Sequence, residues 1–563
     1  MRTIIDRIEN QLLRDSNTAS FTFYDDINEH RRSLALAELR RESLNIASLL
    51  PKAEPVLIIQ TDPLAFISSF FGCLYAGAIA VPLAFPIRKN GLERLHTLSK
   101  ELGARHCLTS EQDLSRLRKR YGQELLGNEF NWIAVDSFKF GPALDPDVSI
   151  LPKPDQPALI QFTSGSTGNP KGVVISHENI VENSKLIKGC FRNNLDSVSV
   201  CWLPPHHDMG LIDGIIQPIF TGFHGVIMTP ARFLQRPVRW LRAISEFGAT
   251  YSGGPNFSFD YCSERISDDQ LNDIDLSSLK CLYNGSERVQ MSTMQRFTDR
   301  FARVGFSMNK FVACYGLAEA TLAVTASDFG ACPVSVRVDQ KELKENRVRL
   351  DCDETGVDIV GCGKPLGDTE LLIIDPLTLS EAPPGETGEI CILGKSVATG
   401  YQYPSDGTNF LVLGGRKFLR TGDLGFVIDR ELFVTGRIKD VIIIRGKNHN
   451  PSEIESTCFS SHDALSLNGT SAFSVEIEGV ERLVVIQEAR RTSLRRFDFE
   501  EVIDSILSDI SENHELAPYD IAIIPPGMLP KTTSGKIQRS KCKEMWLSNK
   551  FETIATLRAK SKY

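Results

Sequence analysis

The segment Gln161-Phe162-Thr163-Ser164-Gly165-Ser166-Thr167-Gly168-Asn169-Pro170-Lys171-Gly172 crowds hydroxyls, glycines and one lysine between two apolar runs, Ala158-Leu159-Ile160 and Val173-Val174-Ile175. Each run reads as a buried strand, so the polar segment is a loop joining them. Glycines let a backbone approach a ligand closely, and successive backbone N–H groups then face an anion. The Ser and Thr hydroxyls add donors, and Lys171 adds positive charge. That chemistry suits the polyphosphate of a nucleotide. The loop is not of the Walker A type, because Pro170 stands where that motif has its second glycine and Gly172 where it has Ser or Thr. A polar surface hairpin is the plainer reading, and the density of donors around Lys171 favours the anion cradle over it.

Outward from the loop, strands and helices alternate. Pro55-Val56-Leu57-Ile58-Ile59 is a buried strand. Residues 64–86 carry no charge and are long enough to cross a bilayer. They also contain Ser68, Ser69, Gly72, Gly77, Pro82 and Pro86, which favours a buried helix followed by a strand at Ile79-Ala80-Val81-Pro82-Leu83. The alternation continues through Ile133-Ala134-Val135. This is the pattern of an open, mostly parallel sheet, whose ligands sit beyond the carboxyl ends of its strands. After the loop, Ser176 is placed to cap a helix running to about residue 189. Strands at 250–254, 279–285 and 311–316 each run into a glycine or polar turn and suggest one shared rim. From about 335 to 433, β-type runs with Gly/Pro turns dominate. Gly436-Arg437-Ile438-Lys439-Asp440 reads as a joint, and Asn450-Pro451-Ser452-Glu453 as a capped helix start in a compact α+β unit. The predicted fold class is α/β: a large N-terminal domain of doubly wound sheets with a β-rich subdomain, residues 1–436, and a small mobile α+β C-terminal domain, residues 437–563.

The 563 residues are too many for one core. A formal net charge of −8 argues against a general nucleic-acid binder, which carries a basic stripe. Thirteen scattered cysteines without a paired framework suggest free thiols in a reducing, cytoplasmic setting. The first residues, Met1-Arg2-Thr3-Ile4-Ile5-Asp6, lack the apolar core of a signal peptide, and no transmembrane segment is expected.

Cys201-Trp202-Leu203-Pro204-Pro205-His206-His207-Asp208-Met209-Gly210-Leu211 places two histidines and an aspartate just after two prolines, in what reads as a rigid turn. The wall of a binding site, a structural turn and metal ligation are all compatible with it. Metal ligation fits least well, because three adjacent residues seldom converge on one ion.

Taken together, the motifs resemble the adenylate-forming superfamily of acyl-CoA synthetases, peptide-synthetase adenylation domains and luciferases. The phosphate loop is residues 163–172. Tyr315-Gly316-Leu317-Ala318-Glu319-Ala320-Thr321 is similar to the aromatic-glycine-x-x-glutamate motif, and Thr421-Gly422-Asp423-Leu424-Gly425 to the ribose motif. Residues 436–440 resemble the hinge motif. Leu529-Pro530-Lys531-Thr532-Thr533-Ser534-Gly535-Lys536 resembles the C-terminal lysine motif. These motifs keep the family's order over nearly the whole chain. Within the superfamily, residues 203–211 and a long interval at about 325–362 resemble the fatty acyl-AMP ligases, whose insertion there restrains the swing of the C-terminal domain. Two departures stand out. His206 replaces a frequent aromatic, and Asn284-Gly285-Ser286-Glu287-Arg288 has Ser and Arg where Ala and Pro are usual.

The resemblance implies site roles. Thr163, Ser164, Gly165, Ser166, Thr167, Gly168 and Lys171 would hold phosphates of ATP, with Thr321 a further phosphate contact. Glu319 would hold Mg²⁺. Tyr315 and Gly316 would face adenine, with Asn284 and Gly285 reading its edge. Asp423, assisted by Arg437, would take the ribose hydroxyls. Lys536 would reach the substrate carboxylate and the α-phosphate. Lys439 would be the hinge. His207, Asp208 and Met209 would wall the acyl site, with His207 close to the chemistry. The implied reaction converts a fatty acid and ATP to acyl-AMP and pyrophosphate. The acyl group then passes to the phosphopantetheine of an acyl carrier protein, or of a polyketide or peptide synthase carrier domain, expected in trans because the chain ends soon after the lysine motif. The alternatives are a fatty acyl-CoA ligase, a free-standing amino-acid adenylation domain, and a catalytically silent nucleotide-binding protein on the same fold. Intact Lys171, Glu319, Asp423 and Lys536 argue against the last.

Overall fold

The computed structural model describes residues 3–13, 21–25, 31–87, 89–126, 130–138, 152–163, 171–350, 356–402, 409–445, 447–477, 479–532 and 535–558. Among these, seven strands form the sheet that carries the donor-rich loop. Their order is Gly400–Tyr401, Lys171–Ser176, Pro157–Thr163, Ile79–Pro82, Pro55–Ile58, His106–Thr109 and Asn131–Ala134. From Pro157–Thr163 outward the pairing is parallel. The central strands Pro55–Ile58 and Ile79–Pro82 are wholly aliphatic because helices cover the sheet, as parallel sheets require. The loop's two flanking strands pair antiparallel, with Thr163 opposite Lys171.

The uncharged stretch at 64–86 is a buried helix, Pro63–Ala76, and a buried strand, Ile79–Pro82. The Asp62 carboxylate accepts from the Leu64 and Ala65 N–H groups and so caps the helix, while Gly77 ends it in the left-handed conformation. Among the described residues no helix is long and apolar enough to cross a membrane.

Among the described residues, nine strands make the second sheet, in the order Lys364–Pro365, Ala323–Ala326, Phe311–Gly316, Cys281–Gly285, Tyr251–Pro255, Val198–Cys201, His224–Ile227, Phe21–Phe23 and Arg32–Leu34. Phe311–Gly316, Cys281–Gly285 and Tyr251–Pro255 are neighbours and run parallel. Their carboxyl ends therefore open onto one rim, as the repeated strand-then-glycine pattern predicts. The predicted helix after Ser176 is His177–Cys190, with Ser176 and Asn179 capping each other reciprocally.

The turn expected after the two prolines is present at 205–207, and the chain then winds into a π-helix, Met209–Ile216, that continues as an α-helix, Gln217–Thr221. Every residue of the π-helix is buried, and apart from Asp213 its side chains are apolar or absent, so the helix leaves no amphipathic signature.

Beyond residue 335 the β-rich texture is present. Ser335–Asp339 pairs with Gly356–Val360, and a short helix, Gln340–Lys344, rises from the Asp339 cap. Strands at Glu370–Ile374, Gly388–Leu393, Phe410–Leu413, Arg416–Ile428 and Glu431–Arg437 form a further sheet. After Arg437 come a hairpin of Ile442–Ile444 with Lys447–His449, the helix Pro451–Ser460 capped by Asn450, and a four-stranded sheet. That sheet has its own apolar cores against the helices Phe499–His514 and Arg539–Leu547.

Candidate active site

The phosphate side is built where the first sheet meets the rim of the second. The Thr163 hydroxyl donates to the Lys171 carbonyl at 3.4 Å and closes the base of the loop. The expected donors Ser164, Gly165, Ser166, Thr167 and Gly168 lie outside the described residues. The Lys171 ammonium sits 5.2 Å from the centroid of the Tyr401 ring. The Tyr401 hydroxyl in turn donates to a Glu319 carboxylate oxygen at 2.9 Å. Glu319 stands on a tight turn, Ala318–Ala320, just past Phe311–Gly316. Burial raises its carboxyl pKa above the ordinary range, and Tyr401 opposes that shift. Among the described residues, no three His, Cys, Asp or Glu side chains group as a protein-only metal site needs.

Thr321 is fully buried, and its hydroxyl donates to the Ser396 carbonyl at 2.7 Å. Its φ of 70° is unusual for a β-branched residue, so that bond holds a strained turn. Gly316 lies beneath the same turn: a Cβ there would stand 2.0 Å from the Leu322 carbonyl oxygen, which only glycine avoids.

Elsewhere on the rim the structure brings Tyr315, Asp423 and Arg437 together. The Tyr315 hydroxyl donates to Asp423 Oδ2 at 2.7 Å, and Arg437 Nε lies 2.7 Å from Asp423 Oδ1. Asp423 and its neighbour cation come from strands paired at that position. Each carboxylate oxygen keeps a lone pair for a further donor. The Asp423 charge raises the Arg437 pKa, while burial raises that of Tyr315 and Asp423 adds to it. Asn284 is buried at the adjacent strand end and donates to Asn256 Oδ1 at 3.1 Å. Its own Oδ1 has no partner among the described residues. Gly285 precedes Ser286, whose φ of 72° marks a second strained non-glycine at the rim.

Lys536 is carried in from the far end of the sequence. It lines the same cavity as Tyr315, Asp423 and Arg437. Gly535 beside it has φ +88°, and a Cβ there would lie 2.4 Å from the Phe257 ring, so the lysine loop is seated directly on the rim. Burial lowers the Lys536 pKa. The Asp208 and Glu287 carboxylates pull it back up, Arg437 opposes them and Asp423 assists. Burial, with Lys536 and Arg94 nearby, pushes the His207 imidazole down to about 4. Burial also pushes His206 down to about 3, with His207 and Arg94 adding to it. Burial raises the pKa of Asp208 against the pull of Lys536. Gln161, on the strand leading into the loop, donates to the His206 carbonyl at 2.7 Å and ties the two motifs together. Asp208 and Met209 line a small apolar cavity running inward from the rim, whereas His207 faces Lys536 and Arg94. Lys439 lies exposed in the turn after Glu431–Arg437.

Tyr401, Arg94 and Glu287 were not singled out as site residues by the sequence reading. Tyr401 and Arg94 carry no local motif and arrive only through strand pairing and helix placement. Glu287 and Arg288 lie in the segment that departs from the family pattern, and that departure was the available signal. Glu287 accepts from the Phe257 N–H at 3.1 Å and faces Lys536. Arg288 forms a 3.0 Å ion pair with Glu453, both largely buried, across to the C-terminal part. The segment at 335–360 adds to the same seam. Gln340 reaches Glu453 at 3.5 Å and the His514 ring at 3.4 Å, and Lys341 lies 4.0 Å from Glu515.

The AMP-binding enzyme family matches residues 9–402, and the family described as Disco-interacting protein 2-like, AMP domain matches residues 439–556. The chain is 37% identical to the medium-chain-fatty-acid–[acyl-carrier-protein] ligase JamA of Moorena producens, over 97% of this chain and 95% of that one. It is 33% identical to the long-chain-fatty-acid–AMP ligase FadD23 of Mycobacterium tuberculosis, over 95% of each. The solved fatty acyl-adenylate ligase from L. pneumophila, in complex with acyl adenylate and pyrophosphate, superposes with a TM-score of 0.76 at 33% identity, covering 99% of this chain and 98% of that one.

Proposed function

The chain belongs to the AMP-binding enzyme family, and we propose that, as a fatty acyl-AMP ligase of that family, it activates a fatty acid with ATP and hands the acyl group to an acyl carrier protein. The observation that carries this reading is the convergence of Lys536 with Tyr315, Asp423 and Arg437 on one cavity.

A carboxylate is anionic and resonance-stabilised, hence a poor electrophile. Its oxygen attacks the α-phosphorus of ATP, the bond to the bridging oxygen breaks, and pyrophosphate leaves with the electron pair. Two anions meet in this step, so cations and donors must already stand where charge develops. Lys536 is that cation, held between Asp208 and Glu287 until substrate takes their place in its field. His207, neutral because its pKa is depressed, adds no competing charge. Asp423 accepts the ribose hydroxyls, with Tyr315 and Arg437 fixing its plane. Tyr315 and Gly316 face adenine, and Asn284 and Gly285 read its edge. Thr163, Ser164, Gly165, Ser166, Thr167, Gly168 and Lys171 hold the phosphates.

Glu319 is a hard oxygen donor at the phosphate end. That suits Mg²⁺, which takes one or two carboxylates plus substrate phosphates and, when bound, neutralises phosphate charge. Residues 1–436 and 437–563 act as two bodies hinged at Lys439, and the segment at about 325–362 limits their swing. The acceptor is therefore a phosphopantetheine thiol on a carrier protein or a polyketide or peptide synthase carrier domain, rather than free CoA. The name of the Moorena relative supports the carrier as acceptor.

The test is ATP–pyrophosphate exchange with a mixture of fatty acids, followed by transfer to CoA and to a holo carrier side by side. Exchange with rapid carrier loading and little acyl-CoA is expected. Efficient acyl-CoA formation would move the protein to the CoA ligases.

A further inference from the structure

The small cavity behind the rim is lined by Asp208, Ser286 and Gly316 together with Ile187, Cys190 and Asp213. Its volume is about 40 Å³. Asp213 is the anomaly in it. It projects from the middle of the buried π-helix Met209–Ile216 and is only 3% exposed. Among the described residues no cation acts on it. Its electrostatic neighbours are the Tyr283 phenol and the thiols of Cys190, Cys201, Cys281 and Cys314. Tyr283 hydrogen-bonds to the carboxyl, while Oδ1 has no partner among the described residues. Burial raises the acid to about 7, with Tyr283 pulling the other way. A buried polar atom left unpaired is costly, and such atoms in native proteins call for a reason. The fatty-acid reaction as described gives this one no work, since an unsubstituted chain has no polar atom to offer it.

We infer that Asp213 is a specificity-determining residue whose free oxygen hydrogen-bonds a hydroxyl carried by the acyl chain, so that the preferred substrates are hydroxylated fatty acids. This deepens the fatty acyl-AMP ligase reading and rests on it. A protonated carboxyl offers an O–H donor and an acceptor, which complements a neutral hydroxyl. Of the cavity's lining groups only Asp208 and Asp213 are acidic, and Asp208 already lies in the field of Lys536. The position follows from the room available. The cavity shares Ser286, Tyr315 and Gly316 with the larger cavity that Lys536 lines, and its volume of about 40 Å³ leaves room for only a short stretch of chain beside Asp213. The hydroxyl therefore belongs within the first few carbons from the carboxylate.

The experiment is ATP–pyrophosphate exchange by the full-length protein. Fatty acids hydroxylated at the third, fourth or fifth carbon are compared with their unsubstituted parents and with the matching amino acids. The expected result is a preference of at least tenfold in kcat/KM for one hydroxylated isomer. Asp213→Leu should erase that preference and leave the parent acid as good or better. Asp213→Asn, which keeps a donor and an acceptor, should retain most of it and guards against a leucine variant that fails to fold. Equal rates for hydroxylated and parent acids in the wild type would overturn the inference while leaving the ligase reading intact. So would a preference for the amino acids over the hydroxy acids. No exchange with any fatty acid would instead overturn the ligase reading itself, and this inference with it.

Discussion

The Lys344 ammonium, on the short helix Gln340–Lys344, donates to the backbone carbonyl of His514 3.4 Å away, at the end of the helix Phe499–His514. A residue of the segment at 335–360 is thereby bonded to the C-terminal part. The His514 ring is held in the same cluster by Thr457 at 2.8 Å. Lys344, Gln340 and the Arg288–Glu453 ion pair line one side of the large cavity that Lys536 also lines, and they bond to the C-terminal part rather than to Tyr315, Asp423 or Arg437.

Loosening the seam should change the acceptor and not the adenylation. The contacts of Lys341 are exposed and each contributes about 0–1 kcal/mol. Arg288→Ala leaves the largely buried Glu453 without its partner and should cost more, about 1–3 kcal/mol. The expected outcome for Arg288→Ala combined with Lys344→Ala is pyrophosphate exchange within about threefold of wild type, with acyl-CoA formation raised by tenfold or more. Chromatographic assay of acyl-CoA checks it, and amide exchange at 438–445 should rise in parallel.

The same seam should respond to acid. Burial pushes the His514 imidazole down to about 4, against an ordinary value near 6.5. A depressed histidine contributes stability that is complete above the unfolded value and is lost as pH falls toward the folded one. The loss should therefore run from about pH 6.5 down to about pH 4, with a ceiling of about 3 kcal/mol. His206, His207, His177 and His449 are also depressed, so the readout is the difference between wild type and His514→Gln in denaturant melts across that range. The variant should have the shallower acid slope; identical slopes would refute the assignment.

Lys536→Ala should lower adenylation by about 10²–10³, the cost of losing one preorganised electrostatic donor. Thermal stability should change little or improve, because the lysine is desolvated and its removal relieves that cost. Exchange kinetics paired with a melting curve test both statements.

Tyr315→Phe keeps the aromatic ring and removes only the hydroxyl that donates to Asp423. A hydrogen bond to a charged acceptor contributes about 1.5–3 kcal/mol. The expected result is a KM for ATP raised by about tenfold or more, with the KM for the fatty acid unchanged. A rise in the fatty-acid KM instead would place Tyr315 on the acyl side.

Glu319→Gln should abolish most of the Mg²⁺ dependence and cost at least about 10² in rate if the carboxylate is the protein's one metal ligand. Tyr401→Phe removes the hydroxyl that Glu319 accepts and should act through the metal. Its signature is a shift of the Mg²⁺ titration to higher concentration with a nearly normal maximal rate.

Local chemistry wrote much of this into the chain. Ser176 and Asn450 announced helix starts because a capping side chain and its N–H partners lie within a few residues. The strand-then-glycine repeats at Gly254, Gly285 and Gly316 announced one rim because parallel strands end together. Asp423 and Lys536 were legible as motif residues. The donor loop was legible by composition, although its central residues are outside the described part of the chain.

What the sequence determined alone is the set of groups a nucleotide and a carboxylate would need, together with their order along the chain. Only the tertiary structure decided who meets whom. Tyr401 joins Lys171 to Glu319 because Gly400–Tyr401 pairs with Lys171–Ser176, and pairing between strands so distant in the chain leaves no periodic trace. Thr321 gives its hydroxyl to Ser396, and Asp213 keeps a free oxygen in an apolar cavity, because burial and packing set the partners of a polar atom. Sequence spacing records backbone geometry over a few residues; hydrogen bonds and charges act through space, and the fold alone supplies those distances.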